Sequence, residues 1–373
     1  MTRDVHKSVP RRSVIQLAGA VAAMPFISKA VAGGEVESAV EWARINLPNS
    51  SPDIVSAAAR EGRLTLSLYN LGGNDEAVQA LVKGFNRRYP FVAVEYTRYS
   101  TVQLLNKFNA EITARRGVSD YVNLPSNAVS NRALTDKGAI ARFVVSQDAA
   151  YPRYGKRSGL WYAWHEERAT TLYRADALNE EEKKLVRTFK GLGDPRFRGR
   201  IIINSVSNSL TLSTSYTLMF GPNPELWEGL ARNRPKVKPA SNALVSGVLA
   251  GEADIGVMCG AASPMAAAKG GAPVQFGRSA PCPALHTPGA ISALAPHPNA
   301  AKLWQDWFTS AEGQNIWVAE SGMTSVHGGL KETGWSEKQP WFYTDRSTSD
   351  FDWDAFSRKQ QEVIARFAKD IQS

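Results

Sequence analysis

The stretch Pro239–Gly260, PASNALVSGVLAGEADIGVMCG, decides how the rest of the chain is read. Ser241 or Asn242 supplies a helix cap, because a short polar side chain accepts from the free amides of a first turn. Leu244, Val245, Val248 and Leu249 recur at helical spacing and give that helix one apolar face. Gly251 stands where a left-handed residue ends a helix. Ile255–Gly256–Val257–Met258–Cys259 is a short apolar run suited to a strand covered on both faces. It breaks at Gly260, and a new helix begins near Ser263–Pro264. Helix, tight turn, buried strand, small-residue loop and helix make an α/β unit. Ligands of open α/β sheets sit beyond the carboxyl ends of the strands, although the same pattern also suits a unit that binds nothing.

The pattern extends in both directions. Leu64–Tyr69 reads as the first buried strand, running into Asn70–Leu71–Gly72–Gly73–Asn74 and a helix from Asp75 to about Arg88. Gly72 and Gly73 let backbone amides approach a ligand closely, and Asn74 caps the helix. Val92–Tyr96 is a second strand, Thr101–Arg116 a helix and Asp120–Leu124 a third strand. Pro125–Ser126–Asn127 then opens a helix to about Lys137. Gly159–His165, GLWYAWH, alternates large aromatics with small or polar residues, as a strand linking two lobes would, and Thr170–Tyr173 continues it. Ile201–Ile203 is a buried strand that delivers Asn204–Ser209 to the start of helix Leu210–Phe220. Ile291–Ala295 should return the chain to the first lobe. Phe356, Val363, Phe367 and Ile371 give a terminal helix one packing face. Strand–helix alternation of this kind predicts an α/β fold with mostly parallel sheets flanked by helices.

Four phrases carry a resemblance. Gly251–Glu252–Ala253–Asp254–Ile255–Gly256 resembles the "aGEaDiG" segment of periplasmic solute-binding proteins of ABC importers, particularly the group containing the ferric-iron binders. Glu61–Tyr69 resembles that group's first strand, and Leu81–Pro90 the end of its first helix. Ala295–Trp304 with Thr309–Gln314 resembles its "a.hPnaAk.f.dfl.S.eGQ" stretch. The four occur in the family's order across roughly residues 55–330. The resemblance implies a two-lobed, type II-like periplasmic-binding-protein fold. Lobe one would comprise about residues 52–164 plus 287–373, and lobe two about 165–286. It implies a non-enzymatic carrier of a small solute and a membrane permease as partner. Ferric-binding members carry two adjacent tyrosines just after the "GEaDiG" strand. Here that place reads Cys259–Gly260–Ala261–Ala262–Ser263–Pro264, which offers none of the hard anionic oxygens ferric iron requires. A ferric-ion carrier is therefore the alternative, and an organic solute the expectation.

Bulk properties fit export of a soluble binder. A 373-residue chain with 43% hydrophobic and 21% charged residues holds about two ordinary globular domains. Arg3, Lys7, Arg11, Arg12 and Lys29 against Asp4 account for +4 of the formal +9, leaving +5, a mild excess that favours anionic small ligands or, serving solubility alone, none. No arginine-rich stripe points to nucleic acid. Arg11–Arg12 precede the apolar run Val14–Phe26, and Ala30–Val31–Ala32 offers small residues for cleavage near Ala32. Residues 1–32 therefore read as an export signal to the periplasm, of twin-arginine or ordinary secretory type. Cys259 and Cys282 either pair or remain buried thiols. The protein is expected to act as a monomer.

Catalytic patterns are missing. No G-x-S-x-G occurs, and Gly155–Gly159 has the wrong spacing for one. His165–Glu166–Glu167–Arg168–Ala169 starts like a zinc-protease helix, but Ala169 stands where the second histidine belongs. No metal or cofactor is expected, and an exported hydrolase is the alternative of another class. The positive pattern is four polar loops, each between a strand's carboxyl end and a helix's amino end. Helix starts attract anions through unpaired amides and partial positive charge. The candidate ligand-binding residues are Asn70, Gly72, Gly73, Asn74, Ser126, Asn127, Ser205, Ser207, Asn208, Ser209, Gly260 and Ser263, with Trp161 as an aromatic wall.

Overall fold

The computed structural model describes residues 33–69, 75–124, 138–206, 210–330, 334–344 and 353–371. In chain order its strands are β1 (Arg63–Tyr69), β2 (Ala93–Tyr99), β3 (Tyr121–Asn123), β4 (Lys156–Arg157), β5 (Trp161–Glu167), β6 (Ala169–Arg174), β7 (Ile201–Asn204), β8 (Lys236–Lys238), β9 (Ile255–Gly260), β10 (Val274–Gly277) and β11 (Leu285–Ile291). They form two sheets, in the orders β2-β1-β3-β11-β5-β4 and β10-β6-β9-β7-β8, each flanked by helices. The helices begin and end where local chemistry dictates. Ser51 accepts from the Ile54 amide ahead of Pro52–Glu61, and Gly62 closes that helix at φ 65°. Ser100 and Gln103 form a reciprocal capping box on Thr101–Ala114. Gly251, at φ 76°, follows Ser241–Leu249 as its position predicts.

The α/β class holds, but both sheets are mixed rather than mostly parallel. β1 runs parallel to β2 and β3, and β7 parallel to β8 and β9. β11 opposes its neighbours β3 and β5, and β6 opposes β9 and β10. Apart from the two-residue β4, which opposes β5, the reversed strands are the two that enter from the other lobe. A strand fed from the carboxyl-end side of a sheet must run against strands fed from the opposite side, and it needs no crossover helix to do so.

The first lobe buries an aromatic core in which Phe85 lies 5.3 Å from Trp304 and Trp164 lies 4.3 Å from Phe308, ring centre to ring centre. The second is built on Ile201, Ile203, Tyr216, Trp227 and Val257. The expected assignment of the whole tail to lobe one is corrected. Phe367, on the helix Trp353–Ile371, is fully buried in the second core, 5.4 Å from Tyr216 and 5.6 Å from Trp227. Tyr343 joins the same core, its ring so close to Gly277 that a Cβ there would meet it at 2.4 Å. The chain therefore crosses between lobes three times: at Glu167–Ala169, between Gly277 and Leu285, and between Met323, in the first core, and Trp335, against the second.

Cys259 and Cys282 are buried and form no disulfide. Cys259 sits opposite Thr170, and Cys282 Sγ lies 3.2 Å from the Ala169 carbonyl oxygen. Among the described residues no helix is long and apolar enough to cross a membrane. The proposed export signal lies outside them.

Candidate functional site

A crevice of about 210 Å³ opens where the strand ends of the second lobe meet the crossings and the end of β1. Its walls include Tyr69, the run His165–Arg168, Asn204, Ser241, Gly260–Ser263, Phe276, Arg278 and Phe342. Tyr69 comes from the first sheet, while Asn204 and Gly260 are the last residues of β7 and β9.

Ser241 ties this wall together. Its Oγ accepts from Asn204 Nδ2 and from the Gly260 amide, both at 3.0 Å. Both lone pairs are thus engaged, and its O–H is left to donate. Its expected role as a helix cap is corrected: the cap residue of Ser241–Leu249 is Ala240, which makes no side-chain bond. Ser241 has been recruited by the strand ends instead. The next helix, Ala262–Lys269, likewise begins at Ala261 without a side-chain cap. Two helix starts without side-chain caps therefore line one crevice. β9 reaches it through a bulge. Thr170 pairs with Cys259 but Leu172 with Gly256, so β9 holds one extra residue, and Met258 takes up φ 60° there. The bulge bends the strand just before the Gly260 loop.

Two buried arginines stand at the crossings. Arg168, 3% exposed, pairs with Glu166 and donates to the Cys282 carbonyl oxygen. Arg278, 8% exposed, donates from Nη2 to Thr324 Oγ1 at 2.7 Å and from Nη1 to Thr344 Oγ1 at 3.2 Å and Glu337 at 3.4 Å. Its Nε is buried without a hydrogen-bond partner. The Glu166 amide donates to the Thr324 carbonyl oxygen at 2.8 Å, so these bonds join all three crossings.

Burial shifts three titratable groups beside the arginines toward their neutral forms. Burial pushes Glu167 up to about 7 against the opposing hydrogen bond of Thr287, and its Oε2 has no partner. Burial, aided by the neighbouring His286, pushes His165 down to about 3; burial takes His286 to about 4. His165 Nε2 lies 3.3 Å from Thr287 Oγ1, and its Nδ1 is unpartnered. Among the described residues no group of three or more His, Cys, Asp or Glu is placed to hold a metal ion.

Of the residues singled out in the sequence, Gly260 and Ser263 line the crevice. Ser205 is buried beside it, its amide donating to the Lys238 carbonyl oxygen at 2.8 Å, and is not in the lining. Trp161 is half-buried against the Leu104–Phe108 cluster of the first lobe and is also not in the lining. Asn70, Gly72, Gly73, Asn74, Ser126, Asn127, Ser207, Asn208 and Ser209 lie outside the described residues. The structure adds Tyr69, Glu167, Arg168, Asn204, Ser241 and Arg278. Only Asn204 had a sequence cue, as the head of a polar loop after a buried strand.

Comparison with known proteins places this geometry. The family model described as bacterial extracellular solute-binding protein matches residues 66–324. No curated protein matches the chain in sequence. Among solved structures, an IdiA/FutA protein of Trichodesmium in complex with iron and citrate is similar at 16% identity and TM-score 0.64, covering 83% of this chain and 99% of that one. A periplasmic thiamin binding protein is similar at 19% identity and TM-score 0.64, over 83% and 96% of the respective chains. AfuA of Actinobacillus pleuropneumoniae, with fructose-6-phosphate bound, is similar at 16% and TM-score 0.61, over 83% and 99%. All three are two-lobed neighbours and show the fold.

Proposed function

The chain belongs to the bacterial extracellular solute-binding proteins, and from that premise we propose that it captures a small anionic organic solute in the interlobe crevice and delivers it to an ABC permease. One observation carries the anionic part. Arg278, whose Nε is unpartnered, Ser241 and two helix starts without side-chain caps line one crevice. A guanidinium and helix amino ends both favour negative charge, and low solvent exposure strengthens them. At about 210 Å³ the crevice is smaller than the roughly 300–1,000 Å³ of sites for drug-sized ligands.

The lobes close by bending at the crossings, because the solute contacts both sides at once and binds the closed form better. The protein works as a periplasmic monomer after removal of residues 1–32. A thermal-shift screen over small anions, ferric salts, amines and sugars tests this. A saturable rise in melting temperature with organic anions, and no turnover of the solute, is expected; stabilisation reaches about 2.7 kcal/mol at a hundredfold excess over Kd. A coloured protein stabilised by ferric salts alone would replace the proposal with an iron carrier.

A further inference from the structure

Glu167 is out of place in a pocket built only for an anion. It lies in the crevice wall on the first crossing, one residue from a glutamate already paired with Arg168. Glu166 has a guanidinium; Glu167 has the hydroxyl of Thr287 on one side and nothing on Oε2. His165 Nδ1, in the same wall, is a second buried atom without a partner. His165, two residues earlier on the same strand, and His286, opposite Glu166, are held neutral by burial, so neither supplies a counter-charge. The donors described above stand largely on the second lobe, at Ser241, Gly260–Ser263 and Arg278. The crevice thus offers donors for negative charge and a separate carboxyl for positive charge.

We propose that the solute is a zwitterion, with its anionic head on Arg278, Ser241 and the helix starts and its ammonium on Glu167. The inference rests on the anion-capturing reading above and adds the second charge. A buried carboxyl without a counter-ion is costly, and a ligand ammonium relieves that cost by pairing with it. The same arrangement gives selectivity, because a ligand lacking the amine leaves a buried acceptor unsatisfied. The Glu167 carboxyl, near 7 in the free protein, would become fully ionised on pairing.

Isothermal titration calorimetry with three matched pairs tests it: taurine against ethanesulfonate, β-alanine against propanoate, and O-phosphoethanolamine against ethyl phosphate. In at least one pair the aminated member should bind about 10- to 100-fold tighter, the range for a charged hydrogen bond. In Glu167→Gln that gap should close to within about threefold. Binding to the native protein at pH 7 should release about half a proton, read as a dependence of heat on the buffer's ionisation enthalpy. The variant should release none. Thr287 bonds the Glu167 carboxyl, while Arg168, Arg278 and His286 act on the neighbouring Glu166, and all of these groups are present in both proteins. Equal or tighter binding of the non-aminated acids overturns the zwitterion and leaves anion capture standing. An aminated preference that survives in Glu167→Gln overturns the assignment to that residue. No heat from any of the six at millimolar concentration overturns this inference, and the wider screen then decides whether anions bind at all.

Discussion

Replacing Glu167 with Gln should change how stability depends on pH. A glutamate in the unfolded chain titrates near 4.5, whereas burial holds folded Glu167 near 7. Between those values the folded state binds more protons than the unfolded state. The stability contributed by the protonated carboxyl is therefore fully present below pH 4.5, is lost as pH rises through about 7, and stays lost above it. At about 1.4 kcal/mol per unit, the whole loss is on the order of 3 kcal/mol. Gln has no proton to lose. Relative to wild type, Glu167→Gln should gain on the order of 3 kcal/mol between pH 4.5 and 8. His165 and His286 act in the opposite sense. Their folded values are depressed to about 3 and about 4, so the unfolded chain takes up protons first and stability falls as pH drops below 6.5. That loss is common to both proteins and cancels in their difference. Urea unfolding of both at several pH values between 4.5 and 8 provides the comparison. A difference that stays flat across this range would refute the reasoning that burial holds Glu167 protonated.

Four further outcomes follow from geometry. Arg278→Met should weaken the best anion from the screen at least tenfold and cost about 3 kcal/mol, since it takes the cation from Glu337 and the guanidinium hydrogen bonds from Thr324 and Thr344; titration calorimetry and urea melts read the two effects. Ser241→Ala should cost about 1–3 kcal/mol in unfolding experiments by leaving the Asn204 amide and Gly260 N–H unmatched, and should weaken solute binding without emptying the core. Phe367→Ala should destabilise by about 3–5 kcal/mol; a melt unaffected by it would contradict the docking of the terminal helix on the second lobe. Gly289→Ala should cost more than about 1–3 kcal/mol and perturb tryptophan fluorescence, because its Cβ would lie 2.0 Å from Tyr121 Oη and 2.3 Å from Trp164 Nε1, between two groups bonded at 3.0 Å.

What could be read from the sequence was whatever depends on neighbours along the chain. The helix–turn–strand unit of Pro239–Gly260, the buried runs at β1 and β7 and the terminal helix all show in local periodicity. Strand direction does not, because a buried apolar run looks alike either way, and so β6 and β11 could not be seen to run against their sheets. The apolar face around Phe367 was visible, but two equally apolar lobes competed for it. Ser241 had the composition of a cap and was claimed by partners 37 and 19 residues away. Arg278 is hidden for the same reason: its burial depends on Thr324, Glu337 and Thr344, 46 to 66 residues further on. A polar residue's fate is set by what closes over it, and that information is spread across the chain.

The threefold passage between lobes bears on how the molecule comes into being. One half needs β11 and the helices Pro298–Phe308 and Ala311–Ser321 to finish its sheet and aromatic interior; the other needs Tyr343 and Phe367. Neither half is a contiguous piece of chain: the first cannot finish before Met323 has emerged from the ribosome, nor the second before Phe367. The nascent protein must therefore keep two incomplete interiors exposed until those late segments arrive to seal them.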